Sequence, residues 1–169
     1  DINAADRKGN TPLHAALDPR YEFRATALRT LLKAGANVDA QNQKGQAPLH
    51  VAVCKLKPDA LEILRKAGAD LTLRDPAGNT ALHYAATAKV GAFSDADPAA
   101  SLLYLREQGL AWDLRNEAGE TLLHAAARDG RADVIKMLLA EGADRDAKDN
   151  EGNSPVDLAK KASLKKAFA

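Results

Sequence analysis

The sequence predicts an all-α solenoid, in which short helix-turn-helix units stack in a single row. An eleven-residue motif occurs five times along the chain, and a second motif that ends near a glycine follows each of the first four copies. Both motifs join turn residues to apolar runs of helical length. With 169 residues and a hydrophobic share of 46 %, the chain has enough apolar surface to bury a core.

The first motif places a turn directly before the start of a helix. Its copies begin at residues 6, 42, 75, 116 and 149, so they lie 36, 33, 41 and 33 residues apart. A glycine among Asp, Asn and Lys residues is typical of a turn with positive φ. In four copies a hydroxyl residue follows two positions later, where it is a preferred helix N-cap. The turn glycines are Gly9, Gly45, Gly78, Gly119 and Gly152, and the predicted caps are Thr11, Thr80, Thr121 and Ser154.

The two helices of each unit differ in composition. The first is short and rich in alanine, which allows neighbouring helices to approach closely, and the second carries larger leucine and isoleucine residues. Glycines at the end of the second helix are predicted to be left-handed C-caps; they are Gly35, Gly68, Gly109 and Gly142. Ala47 stands where a capping hydroxyl is expected, which should cost the second unit about 1 kcal/mol.

Turn, helix, helix and turn at a period near 33 residues, with a Thr-Pro-Leu-His core at residues 11–14, resembles the ankyrin repeat. The resemblance implies one domain, an ankyrin-repeat solenoid whose units are joined by β-hairpin-like fingers, with the short helices on the concave side. The expected repeats cover residues 6–41, 42–74, 75–115 and 116–148, with a capping repeat at residues 149–169. Residues 1–5 match the end of a repeat, so the chain is expected to open inside a preceding one.

Four histidines at equivalent positions raise the question of a metal site; they are His14, His50, His83 and His124. In stacked units these side chains would lie about 10 Å apart, the spacing of packed helices. Zinc requires ligands at about 2.1 Å. The resemblance implies instead that each histidine hydrogen-bonds backbone between neighbouring turns, so we predict no metal and no cofactor.

The sequence contains no motif of a known catalytic site. It lacks a Gly-x-Ser-x-Gly motif, a phosphate-binding loop and a His-Glu-x-x-His motif. The single cysteine, Cys54, excludes an internal disulfide and is interpreted as a packing residue. We therefore predict that the chain is not an enzyme.

The charge balance limits the classes of partner. Lys and Arg number 24 and Asp and Glu 23, and only 4 % of residues are aromatic, which argues against nucleic acid as a ligand. No apolar run approaches the ~18 residues of a membrane span, so no membrane insertion is predicted. The compartment stays open: a soluble cytoplasmic protein is the default, and a periplasmic or secreted one is the alternative.

These observations favour a binding module, a monomeric non-catalytic scaffold for a protein partner of unknown identity. The alternative is a structural or targeting domain of a larger protein, such as a bacterial effector or toxin inhibitor, whose activity lies outside this chain. By the resemblance, the partner would meet the concave and fingertip surface. The residues expected there are Arg7, Lys8, Gln43, Lys44, Gln46, Lys55, Arg74, Asn79, Tyr84, Phe93, Arg115, Glu117, Glu120 and Arg128.

Three local departures from the repeat lead to further expectations. Insertions lengthen the first unit at residues 18–23 and the third at residues 89–98, where Phe93 either anchors a partner or folds back onto the helices. Trp112 replaces an aliphatic residue and is either core or an exposed anchor. Because no helix pair precedes the first unit, its leucines are expected to be under-covered; they are Leu13, Leu28, Leu31 and Leu32.

Overall fold

The computed structural model describes residues 1–18, 24–54, 58–88, 98–160 and 162–168, and in these ranges the chain forms helices and turns without a strand. The α-helices are α1 (Pro12–Ala15), α2 (Ala25–Lys33), α3 (Pro48–Cys54), α4 (Pro58–Lys66), α5 (Ala81–Thr87), α6 (Pro98–Glu107), α7 (Leu122–Arg128), α8 (Ala132–Ala140), α9 (Pro155–Leu158) and α10 (Ala162–Lys165). A 3₁₀ helix, Lys166–Phe168, follows. Most of both insertions, Phe93 and Lys55 lie outside the described residues.

The helices form an all-α repeat solenoid with two rows. The first helices of the units, α1, α3, α5, α7 and α9, pack in sequence, and in the first four units the second helix packs against the first helix of its own unit. In the second row α2 contacts α4, and α6 contacts α8. Leu49, Leu82 and Leu123, at equivalent positions of successive first helices, lie in the single core that results. The 3₁₀ helix packs on α8 and buries Phe168, which closes the core at this end.

The prediction of under-covered leucines in the first unit is wrong for two of the four residues. Leu13 and Leu28 expose no surface. Both are covered because α1 packs against α2 and α3, and α2 packs against α4, so the core-facing side of this unit is filled by its own helices and by the second unit. Leu31 and Leu32 are half-buried.

Trp112 belongs to the core and is not an exposed anchor. The residue retains only 8 % of its exposed surface. The guanidinium of Arg106 lies 5.6 Å from the ring centroid, within the range of a cation–π contact, and also donates a hydrogen bond to the carbonyl of Leu110 at 3.1 Å. The ring joins the core at the repeat position where Val38 and Leu71 stand in two other units.

The recurrent histidine caps the first helix of its own unit. The backbone N–H of Thr11 donates to Nδ1 of His14 at 3.1 Å, and the Thr11 hydroxyl lies 2.9 Å from the same atom. Thr80 with His83 and Thr121 with His124 repeat this arrangement. All three threonines have extended backbone at the helix start, as an N-cap requires.

Two units vary the cap without losing it. In the second unit Ala47 lacks the hydroxyl, but its backbone N–H still donates to Nδ1 of His50 at 2.9 Å. In the last unit Asp157 takes the place of the histidine and accepts hydrogen bonds from the N–H and hydroxyl of Ser154. The cap therefore depends on an acceptor three residues after the N-cap position, which histidine and aspartate both provide.

The other ring nitrogen of each histidine reaches the next unit. Because Nδ1 accepts a backbone N–H, the ring proton lies on Nε2, which donates to a carbonyl. His14 donates to Gln46 at 2.8 Å, and His124 donates to Asn153 at 3.0 Å. His83 contacts the carbonyl of Glu120 at 3.3 Å, and His50 that of Leu73 at 3.1 Å. One neutral imidazole thus links two consecutive units.

Burial lowers the pKa of His14, His50 and His83 below the ordinary value of 6.5. Below that pH the unfolded chain binds more protons than the folded chain, so stability falls with falling pH until the folded-state pKa values are passed. We predict a loss of unfolding free energy between about pH 7.5 and about pH 5, measured by urea titration.

Asp6 and Asp157 should not contribute to this loss. Hydrogen bonds hold the pKa of Asp6 and Asp157 below 3.8, so their contribution is lost only at more acidic pH. The variant His83→Gln keeps a polar cap but removes one titrating group, so its loss over the same interval should be smaller. Equal urea midpoints at both ends of the interval in the wild-type chain would contradict the prediction.

Candidate protein-binding surface

Five turns, which we call fingers, precede the first helices and share one hydrogen-bond pattern. They comprise residues 6–10, 42–46, 75–79, 116–120 and 149–153. In the third finger, Asp75 Oδ1 accepts the backbone N–H groups of Ala77 at 2.9 Å and Asn79 at 2.8 Å, and the Asp75 N–H donates to the Asn79 carbonyl at 3.0 Å. The leading Asp or Asn does the same in the other four. The side chains in the middle of each turn are left exposed.

Backbone hydrogen bonds join most neighbouring fingers. The N–H of Gln43 donates to the carbonyl of Lys8, and that of Glu117 donates to Ala77, each at 3.0 Å. Asn150 makes the same bond to the fourth finger. Pro76 occupies the equivalent position in the third finger and has no N–H, so its ring packs against Gly45 instead. The fingers consequently form one continuous row.

Long side chains at one repeat position brace the row, because each hydrogen-bonds to carbonyls of two neighbouring units. Arg74 donates from one guanidinium nitrogen to the carbonyls of Gly78 at 2.9 Å and Arg115 at 2.8 Å. Arg115 donates in the same way to Gly119 at 2.7 Å and Lys148 at 2.6 Å. Gln41 makes the corresponding pair of bonds one unit earlier. Each side chain thus ties its own finger to the next one.

The fingers and the first helices share one surface, the inner groove. A small cleft of about 60 Å³ between the third and fourth units shows this, because finger and helix residues line it together. Its lining comprises Asn79, His83, Tyr84, Thr87, Ala125 and Arg128.

Two family models match the chain. One, for ankyrin repeats in three copies, matches residues 21–94, and another, for ankyrin repeats in many copies, matches residues 105–159. The chain belongs to the ankyrin-repeat family. Ankyrin repeats are generally modules of protein–protein interaction, and they are generally non-catalytic. In the described ranges, no three His, Cys, Asp or Glu side chains are grouped so that they could hold a metal ion. No described helix has the length and apolar character needed to cross a membrane.

Arg74 and Arg115, two of the residues expected on the concave and fingertip surface, have a second role in this ankyrin domain. Their head groups donate to backbone carbonyls, where a positive charge makes a strong hydrogen bond. Their role in the described structure is to hold neighbouring fingers together, and the recurrence of Gln41, Arg74 and Arg115 at one repeat position was the signal in the sequence.

Glu120, also expected on the partner-binding surface, is buried. The residue is 7 % exposed. Asn116 donates to the carboxylate at 3.1 Å, and Arg128 forms an ion pair with it. The Arg128 side chain keeps 43 % of its surface exposed and lies at the rim of the inner groove. Glu120 therefore positions Arg128 and is itself covered.

Tyr84 lies in the inner groove, and its hydroxyl and ring already contact residues of this chain. Its hydroxyl donates to Asp75 Oδ2 at 2.7 Å, and its ring lies 5.1 Å from that of His50. Burial raises the pKa of the Tyr84 hydroxyl above its ordinary value, so the group stays a protonated donor. Asp75 thereby links the third finger to α5, a role that the sequence analysis missed.

The remaining described candidates lie where the resemblance implied. Arg7, Lys8, Gln43, Lys44 and Glu117 are exposed at the finger tips, and Gln46 and Asn79 are half-buried at the finger bases.

The close approach of the fingers predicts an unequal cost of two similar glycine substitutions. Gly78 (φ +77°) and Gly68 (φ +87°) both have positive φ, so alanine is strained at either site. A Cβ on Gly78 would lie 2.6 Å from the backbone nitrogen of Glu117, whereas one on Gly68 would meet no atom within 4 Å. Gly78→Ala should cost about 1–3 kcal/mol more in unfolding free energy than Gly68→Ala, measured by urea denaturation. Equal costs would show that the fingers separate freely.

Proposed function

We propose that this ankyrin domain is a non-catalytic scaffold that binds a protein partner across its finger tips and inner groove. The observation that carries the proposal is the bracing of the fingers. Backbone bonds and the side chains of Gln41, Arg74 and Arg115 hold the turns in a row, while charged tip side chains such as those of Lys8, Lys44 and Glu117 take no part in these bracing bonds. A surface ordered before binding loses little conformational entropy when a partner docks, which favours affinity.

Stacking supports the choice of this face. The sides by which units stack are buried against neighbouring units. The surfaces that remain for a partner are the finger-and-groove face and the outer helices. The finger-and-groove face gathers side chains from every unit into one surface. On the outer helices, some charged residues form ion pairs within one helix, as Lys66 does with Glu62 at 2.6 Å. Such exposed pairs contribute little to specific binding.

The test compares two triple variants with the wild-type domain. The finger variant replaces Lys8, Lys44 and Glu117 with alanine. The control variant replaces Lys33, Glu107 and Lys136, which are exposed on the outer helices and have the same charges. Proteins captured on each immobilised domain are identified by mass spectrometry, and the dissociation constant of each captured protein is measured by calorimetry.

We expect at least one partner whose affinity falls by about tenfold or more in the finger variant and stays unchanged in the control. Matched thermal unfolding of the three domains shows that both variants fold. If the control variant abolishes binding while the finger variant keeps full affinity, the outer helices bind the partner and the proposal is wrong.

A further inference from the structure

The finger tips change charge in order along the row. The two middle residues of each finger are exposed. Two of their side chains also join neighbouring fingers, because the Pro76 ring packs against Gly45 and the Asn150 amide donates to the Glu117 carbonyl at 2.9 Å. The first two fingers are basic, the third is uncharged, and the fourth and fifth are acidic. These tips carry Arg7, Lys8, Gln43, Lys44, Pro76, Ala77, Glu117, Ala118, Asn150 and Glu151.

The basic end contains a cleft suited to carboxylates. A space of about 440 Å³ lies between the first two fingers. It is lined by Lys8, Asn10, Asn42, Gln43, Lys44 and Gln46. Within the described ranges no ion pair joins either lysine of this lining to an acidic side chain. The amides of Asn10 and Asn42 donate within the fingers, so the ammonium groups of Lys8 and Lys44 are the donors that this cleft offers to an anion, and its lining contains no carboxylate.

Asp6, in the first finger, forms no ion pair with the lysines of this cleft in the described part of the chain. Both carboxylate oxygens of Asp6 accept hydrogen bonds within the first finger, from the N–H groups of Lys8 and Asn10 and from the Asn10 amide. The carboxylate is therefore turned into its own finger. The lysine head groups remain available to an incoming anion.

The opposite end presents unpaired negative charge. Glu117 and Glu151 are exposed on the fourth and fifth fingers, and in the described part of the chain neither forms an ion pair. Two nearby cations are engaged elsewhere, since Arg128 pairs with Glu120 and Arg115 is bound to backbone carbonyls. An incoming cation would therefore meet carboxylates.

We propose, on the basis of the proposed function, that the partner contributes an extended segment with an acidic end and a basic end. Its carboxylates lie over the cleft between the first two fingers, and its lysines or arginines lie over the fourth and fifth fingers. Stacked units lie about 10 Å apart, so the two ends are separated by about 30 Å. An extended chain rises about 3.3 Å per residue, which places about nine residues between the two charged groups.

The same charges argue against a uniformly charged ligand. A polyanion such as single-stranded nucleic acid would pair with the first two fingers but meet repulsion at Glu117 and Glu151. A polycation would meet the reverse arrangement. A segment with separated charges satisfies both ends at once.

The experiment uses two peptide designs, dipolar and alternating, of identical composition and net charge. In the dipolar peptide a run of glutamates and a run of lysines flank a Gly-Ser spacer of about nine residues, and it is made in both chain directions. In the alternating peptide the same glutamates and lysines are interspersed. Binding to the wild-type domain is measured by fluorescence anisotropy at low and high salt, with single-stranded DNA as a further probe.

We expect one direction of the dipolar peptide to bind about tenfold more tightly than the alternating peptide, with affinity falling as salt is raised. The triple variant Arg7→Glu, Lys8→Glu and Lys44→Glu should lose this preference. The control Arg29→Glu, Lys33→Glu and Lys136→Glu changes the net charge equally on the outer helices and should keep it.

Three results would overturn the inference: equal affinity for the two peptides, an equal loss in both variants, or tighter binding of the DNA. These outcomes are separable from the proposed function. Suppose that binding of a captured protein depends on Lys8, Lys44 and Glu117, but the domain does not discriminate between the peptides. The proposed binding face then stands, and only the inference of a dipolar segment fails. If no captured protein depends on those residues either, both fail.

Discussion

The structure depends on a neutral histidine that links each of the first four units to the next. Its Nδ1 accepts the N–H at the start of its own first helix, and its Nε2 donates toward a carbonyl in the following unit. One ring nitrogen must accept a hydrogen bond and the other must donate one, and only the neutral tautomer with its proton on Nε2 does both. Because the rings are buried, a lost bond leaves a polar group without solvent, which makes the arrangement costly to break.

The positions of the fingers follow from this link. Three of the four acceptor carbonyls belong to the last residue of a finger, so the ring that starts one helix also sets the base of the neighbouring turn. His50 is the exception, since it donates to Leu73 and packs against Tyr84, whose hydroxyl is bound to Asp75. With the bases set by histidines and the backs braced by Gln41, Arg74 and Arg115, the tip side chains are presented at regular intervals. A regular row is what allows a charge order to select one orientation of a partner.

The sequence predicts the repeat framework because each framework residue serves local backbone geometry. Glycines with positive φ, threonine caps and the histidines recur for reasons that act within a few residues, and the structure confirms them. The sequence does not predict where long side chains place their head groups. Arg74 and Arg115 directly precede the third and fourth fingers, and their guanidinium groups bond to carbonyls up to 41 residues away. The Glu120 carboxylate is covered beside Arg128. Leu13 and Leu28 were misjudged for a related reason, since their covering comes from packing directions that periodicity alone does not give.

The most direct test of the account is His83→Ala, with Lys136→Ala as an exposed control, followed by urea unfolding and amide hydrogen exchange. We expect a loss of about 1–3 kcal/mol for His83→Ala and none for the control. Exchange should accelerate on both sides of the junction, in α5 and in the fourth finger with α7, because the ring joins those two units. Wild-type stability, or faster exchange confined to α5, would contradict the claim that the histidine holds consecutive units together.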